Sequence, residues 1–110
     1  QRDFTFVDDI VEGSLRALDR VPNAQPPYAL FNIGHHTPVG LLDYINVLEC
    51  VLQRKAILDM VPMQPGDVKA TWADTDALKA ATGFEPTTTL TQGLERFAAW
   101  VQAHPQFIKD

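Results

Sequence analysis

Three of the chain's eight prolines fall between Val21 and Pro27, and no helix or strand can run through them. Proline lacks the N–H that a ladder or a helical turn requires, and its ring crowds the preceding turn. The stretch is a loop, and everything regular is built on either side of it. Before the loop, Phe4 to Val7 alternates apolar and polar residues and predicts a short strand. Asp8 and Asp9 then mark a helix start, where carboxylates cap free amides and suit the positive end of the dipole. Ile10, Val11, Leu15 and Leu18 form the apolar stripe of that helix.

After the loop, the apolar and aromatic run Tyr28 to Ile33 predicts a buried strand, bounded by Pro27 and Gly34. Thr37 as cap and Pro38 in the first turn predict a second helix, with Leu41, Leu42, Ile45, Leu48 and Leu52 as its apolar face. Ala56 to Val61 predicts a third strand, leading into a sharp turn from Pro62 to Asp67. Asp74 is placed to cap a third, short helix that stops at Gly83, a residue that tolerates the left-handed geometry of a helix end. Thr89 and Gln92 have capping-box spacing for the last helix. Its stripe is Leu90, Leu94, Phe97 and Val101, and His104-Pro105 ends it. The order is β-α-β-α-β-α-α, an α/β chain with helix well ahead of strand and no internal repeat.

The 110 residues suit one small domain or a piece of a larger one, and a 45% apolar composition is enough for a core. Nine basic against fourteen acidic residues give a net charge of -5. That excludes general nucleic-acid binding, which needs a basic footprint, but leaves room for an anion held by one or two local cations. Cys50 is the only cysteine, so there is no intrachain disulfide, which suits a reducing cytoplasm. No apolar run approaches the roughly 18 residues of a membrane span, and no signal peptide is expected from these residues. The first residue is Gln1 rather than Met, so a preceding segment is expected.

Several chemistries have no residues to carry them. Hydride transfer through a dinucleotide needs a glycine-rich turn that lets the pyrophosphate approach backbone amides, and neither G-x-G-x-x-G nor G-x-x-G-x-x-G occurs. A short-chain dehydrogenase needs Tyr and Lys four apart, so that the lysine lowers the tyrosine pKa. Tyr28 is followed four residues on by Asn32, and Tyr44 by Leu48. No Ser/His/Asp or Cys/His set has suggestive spacing. His35 and His36 are adjacent with no third ligand placed nearby, and a polar loop is preferred to a metal site. His104 fits the negative end of the last helix. The pairs Asp8/Asp9 and Asp74/Asp76 are better explained as helix caps than as catalytic carboxylates. No catalytic, cofactor-binding or metal-ligating residue is therefore expected. Two features stay open between a bland and a functional reading. Arg2-Asp3 is either a solvated edge or a ligand contact. Met63-Gln64-Pro65-Gly66-Asp67-Val68 is either a plain turn or part of a site.

RDFTFVDDIVEG (2–13), FNIG (31–34), MQPGDV (63–68) and ADTDALKAATGFEPTTTLTQGLERFAAW (73–100) resemble the C-terminal portion of the extended short-chain dehydrogenase/reductases. The first motif is shared across that family, whereas MQPGDV points to its UDP-glucuronate 4-epimerase branch. The resemblance implies a helix-rich C-terminal lobe, residues 1–110, of a Rossmann-type enzyme, with about four helices and two or three short strands. An N-terminal Rossmann domain, absent here, would hold NAD and the Tyr/Lys pair. Arg2 matches the family arginine on the UDP diphosphate, and a guanidinium fork suits phosphate oxygens. Asp67 matches the acid that accepts both hydroxyls of the uridine ribose. Gln64 stands where many related epimerases carry an arginine near the phosphates, and could still donate a hydrogen bond. Phe6 and Trp72 stand where tyrosine is more usual, and Phe6 is given no ligand contact.

The implied whole enzyme epimerises a UDP-sugar at C4 through a transient 4-keto intermediate, with NAD regenerated each turnover, and the chain alone is inactive. The resemblance also implies homodimers formed through the Rossmann domain, and a fragment that self-associates through exposed apolar surface. Competing readings are a stand-alone UDP-binding module, a helical interaction module, and the lobe of a related nucleotide-sugar dehydratase or decarboxylase.

Overall fold

The computed structural model describes residues 1–107. Four α-helices and one two-stranded sheet are formed among them: β1 (Arg2–Asp3), α1 (Val7–Leu18), β2 (Pro38–Val39), α2 (Leu41–Leu52), α3 (Asp76–Thr82) and α4 (Leu90–Ala103), with a 3₁₀ turn at Pro105–Phe107. This is the expected helix-rich lobe with little sheet. β1 and β2 are antiparallel, with Arg2 opposite Val39 and Asp3 opposite Pro38. On its other edge β1 makes a single parallel bridge from Arg2 to Thr71.

The helix ends show why these segments fold locally. Thr89 accepts a hydrogen bond from the Gln92 N–H, and the Gln92 side chain accepts one from the Thr89 N–H, so α4 opens with a complete capping box. A cap of this kind stabilises a helix by about 1 kcal/mol. At the other end the His104 ring shares a 2.8 Å hydrogen bond with the Trp100 carbonyl, as expected of a residue at the negative end of the helix. α3 stops at Gly83, whose φ of +70° is the left-handed geometry glycine accommodates. The expected cap, Asp74, lies one position outside the helix's actual N-cap, Thr75, yet its carboxylate still accepts the Asp76 N–H at 3.1 Å.

The strand assignments need correction. β1 lies at Arg2–Asp3, ahead of the alternating run Phe4–Val7, and α1 already begins at Val7. Tyr28–Ile33 and Ala56–Val61 form no strand. Both have strand composition, but a strand requires a backbone ladder with a neighbour, and neither run forms one among the described residues. Their side chains stay in the open: Tyr28, Leu30, Ile57, Met60 and Val61 are all exposed. α2 starts later than expected, with Gly40 as N-cap, because Pro38–Val39 pairs with β1.

The core is small. Leu78, Phe84, Leu94 and Ala98 are its buried apolar residues. α1 packs against α3, and α2 against α4. α1 turns its polar side inward: Asp9 and Gly13 are buried, whereas Val11, Leu15 and Leu18 face outward. Gly13 is needed there, since a Cβ would stand 3.0 Å from the Phe84 ring and 3.2 Å from Ile33. Phe6 packs on α4 over Gly93, with the Arg96 guanidinium 5.3 Å from its ring centre.

Candidate functional site

The residues singled out from sequence converge at β1. Arg2 and Asp67 are distant in the chain, yet the Arg2 Nη2 lies 3.6 Å from the Asp67 Oδ1. Two features place the acid. Pro65 and Gly66 occupy the centre of a tight turn closed by the Asp67 N–H donating to the Gln64 carbonyl at 3.1 Å. Gly66 has φ +90°, the value a type II turn requires at its third position and one that a side chain would strain. The chain then runs beside β1, where the Thr71 N–H donates to the Gln1 carbonyl at 3.3 Å and the bridge to Arg2 forms.

Arg2 is held by its own backbone surroundings. Its Nη1 donates to the carbonyls of Gln1 and Val68, both at 2.8 Å. With one terminal nitrogen committed, the guanidinium plane is oriented, and the Nε–Nη2 edge is the part left to meet an anion. The ion pair with Asp67 is longer than a hydrogen bond. The two side chains are 41% and 57% exposed, so the pair is a surface contact of about 0–1 kcal/mol that a better partner can displace. Gln64 enters this arrangement through its backbone carbonyl, and its side chain is exposed.

From sequence, Asp3 was open with Arg2 between a solvated edge and a ligand contact; the structure makes it instead a hub of backbone hydrogen bonds. Its Oδ1 accepts the His35 N–H at 3.1 Å, and its Oδ2 accepts those of His36 at 3.0 Å and Ala73 at 3.1 Å. The only sequence sign was its position. In a strand, neighbours point to opposite faces, so an acid directly after a half-exposed arginine points the other way, into the protein.

His35 and His36 lie in a loop between α1 and β2. The His36 ring contacts the Ala73 carbonyl at 2.7 Å, and its backbone takes φ +57°. Among the described residues no group of three or more His, Cys, Asp and Glu is placed to hold a metal ion. No helix is long and apolar enough to cross a membrane.

A concavity of about 310 Å³ lies elsewhere, between Phe4–Val7, Tyr44 and the first turns of α4. Phe4 stacks on Tyr44 there at 4.2 Å between ring centres. No charged side chain lines it, whereas the Arg2–Asp67 corner presents a guanidinium, so the corner is the better candidate for binding an anion.

No family model matches the chain. An uncharacterised 37.6 kDa protein of Escherichia coli O111:H- is 42% identical over 114 residues, covering 91% of this chain and 34% of that protein. A probable UDP-glucuronate 4-epimerase of Rhizobium meliloti is 36% identical over 115 residues, covering 90% of this chain and 33% of its own length. Among solved structures, a UDP-glucuronic acid 4-epimerase from Bacillus cereus in complex with UDP-glucuronic acid and NAD is 30% identical with a TM-score of 0.80. That match covers 92% of this chain and 32% of the other. The chain spans about a third of the length of the relatives it matches.

Proposed function

Because the chain belongs to the extended short-chain dehydrogenase/reductase family, as a C-terminal part, we propose that it forms the UDP-sugar-binding portion of an NAD-dependent nucleotide-sugar 4-epimerase. The substrate pair we assign is UDP-glucuronate and UDP-galacturonate, the sugar nucleotide named for relatives over nine-tenths of this chain. The observation that carries the reading is the meeting of Arg2 and Asp67. A guanidinium fixed through one nitrogen and a carboxylate at 3.6 Å form a corner in which a diphosphate can meet the cation and a ribose diol the anion. A carboxylate suits vicinal hydroxyls because its two oxygens accept both protons.

The residues present do not fit NAD. The six glycines are never closer than six residues apart, so no phosphate-cradling turn can form. NAD, held outside these 110 residues, would supply the hydride acceptor, and no catalytic step is assigned to this chain. Its residues bind and orient: Arg2 fixes the diphosphate, Asp67 the ribose, and the Gln64 turn sets the position of Asp67. Binding energy spent far from the reacting carbon supports catalysis by holding the sugar in place.

The test is interconversion of UDP-glucuronate and UDP-galacturonate by the native polypeptide that carries these residues, with Arg2→Ala alongside. Losing a charge-assisted phosphate contact of about 1.5–3 kcal/mol should raise KM roughly 10- to 100-fold. Absence of interconversion, or a variant with unchanged KM, would defeat the reading. The 110 residues by themselves should turn over nothing and bind UDP only weakly. A micromolar dissociation constant for the chain alone would favour a self-sufficient UDP-binding module instead.

A further inference from the structure

The geometry points to Asp3 as the residue that positions Arg2 and the Asp67 turn for the ligand. The claim rests on the proposed binding role of Arg2 and Asp67, and concerns what holds them in place.

β1 is only two residues long, and two ladder positions do not hold a strand. Arg2 is nevertheless flanked on both sides, by Val39 of β2 and by Thr71. Asp3 fastens both neighbours. Its carboxylate accepts the N–H groups of His35 and His36, on the approach to β2, and that of Ala73, two residues beyond the bridge at Thr71. Thr5 adds a fourth tie on the same loop, its hydroxyl accepting the His35 N–H at 3.1 Å. One side chain therefore gathers three amides from two segments that are otherwise distant in sequence. An ionised carboxylate is suited to this, since it has acceptor positions for all three and no competing donor.

Gly34 supplies an independent sign that this approach is built in. It is buried, and a Cβ there would lie 2.5 Å from the Ala73 Cβ and 2.7 Å from the Asp3 Oδ2. Those distances are far inside contact, and the Ala73 side has no flexible end to move aside. The two segments come this close to the carboxylate only because residue 34 has no side chain.

Arg2 depends on this arrangement through the carbonyl of Val68 and the carboxylate of Asp67, which reach it along the segment that Asp3 holds at Ala73. If the segment swings away, the guanidinium loses an oriented carbonyl and its neighbouring acid together. Asp3 is thus a positioning residue: its carboxylate is taken up by three backbone amides.

The experiment uses Asp3→Asn and Gly34→Ala in the native polypeptide, with Asp9→Asn as comparison. Asp9 is a buried carboxylate that also accepts two backbone amides, at the α1–α4 junction. It reports general destabilisation without touching β1. Two readouts are taken. Without ligand, hydrogen exchange at the Thr71 and Ala73 amides should accelerate at least tenfold in Asp3→Asn and Gly34→Ala and stay unchanged in Asp9→Asn. With UDP, affinity should fall at least tenfold in the first two variants, at a temperature where all are folded, and stay within twofold in the third. Unchanged exchange at Thr71 and Ala73, or equal loss of UDP affinity in Asp9→Asn, overturns the assignment. Should the unaltered polypeptide bind no UDP, the proposed function fails, and the exchange readout still decides what Asp3 does.

Discussion

Asp8 and Asp9 are neighbours of the same type in the first turn of one helix, and they have different fates. Asp8 stays at the surface and meets Arg96 of α4 at 3.1 Å. Asp9 is 6% exposed and accepts the amides of Thr87 and Thr88 at 3.3 and 3.1 Å, which fastens α1 to the start of α4. Replacing Asp9 with alanine leaves two inward amides without an acceptor, so we expect a loss of about 2–3 kcal/mol, read from urea unfolding. The same change at Asp8 should stay within about 1 kcal/mol. From sequence both acids read as caps, because an acid at a helix start is a local signal. The donors that claim Asp9 lie more than seventy residues away, and nothing near the acid announces them. Arg2 and Asp67 were legible for a different reason: each sits in a motif with a family resemblance, and the structure then brought the two together.

Among the elements, those specified by neighbours in the chain were legible and those specified by distant partners were not. The α4 start was read from Thr89 and Gln92 alone, since a capping box is complete within four residues. Tyr28–Ile33 and Ala56–Val61 carry apolar strand composition, but what makes such a run a strand is a second backbone, which sequence pattern does not supply. α1 shows that an apolar stripe need not be a core face; of its stripe only Ile10 is half-buried. Its stripe of Val11, Leu15 and Leu18 is real and faces outward, whereas the side packed on the core carries Gly13 and Asp9. The end of α2 shows a local device with a pH signature. Gln53 takes the left-handed geometry, and the Glu49 carboxylate accepts the Lys55 ammonium at 2.6 Å and the Ala56 N–H at 2.8 Å. The Lys55 hydrogen bond, with that of Ala56, holds Glu49 below its ordinary 4.5, and Glu49 holds Lys55 above its ordinary 10.5. A lowered acid contributes above its unfolded pKa and loses that contribution as pH falls through its folded value. The latch should therefore release below about pH 4.5, and again above pH 10.5 as Lys55 deprotonates. Carboxyl NMR of Glu49 should show a midpoint below 4.5 that moves up in Lys55→Met, the Ala56 amide still holding it somewhat below the ordinary value.

At the scale of the whole molecule the packing is open. The accessible surface is 8674 Å², against about 6,100 Å² for a closed monomer of this mass. The radius of gyration is 17.3 Å, against about 13 Å for a compact chain of this length. Apolar residues account for part of the excess: Val7, Val11, Leu15 and Leu18 on α1, Leu41 and Leu42 on α2, and the run from Ile57 to Met63 are exposed. Patches of this extent are normally covered, so the 110-residue chain taken alone should self-associate. Sedimentation velocity should show a weight-average coefficient rising with concentration, and a single monomeric species at high loading would contradict the expectation. The same surface is what a further lobe of a longer polypeptide would cover, as the three-fold greater length of the relatives allows. The contact between Arg2 and Asp67 has a consequence at this scale too. The site carries its own counter-ion and, seen from afar, is close to neutral, on a molecule whose net charge is -5. An incoming dianion gains no long-range steering from such a corner. On the proposed function, the dianion would arrive without that assistance and exchange for the resident carboxylate on contact, so selection would rest on the replacement rather than on attraction at a distance.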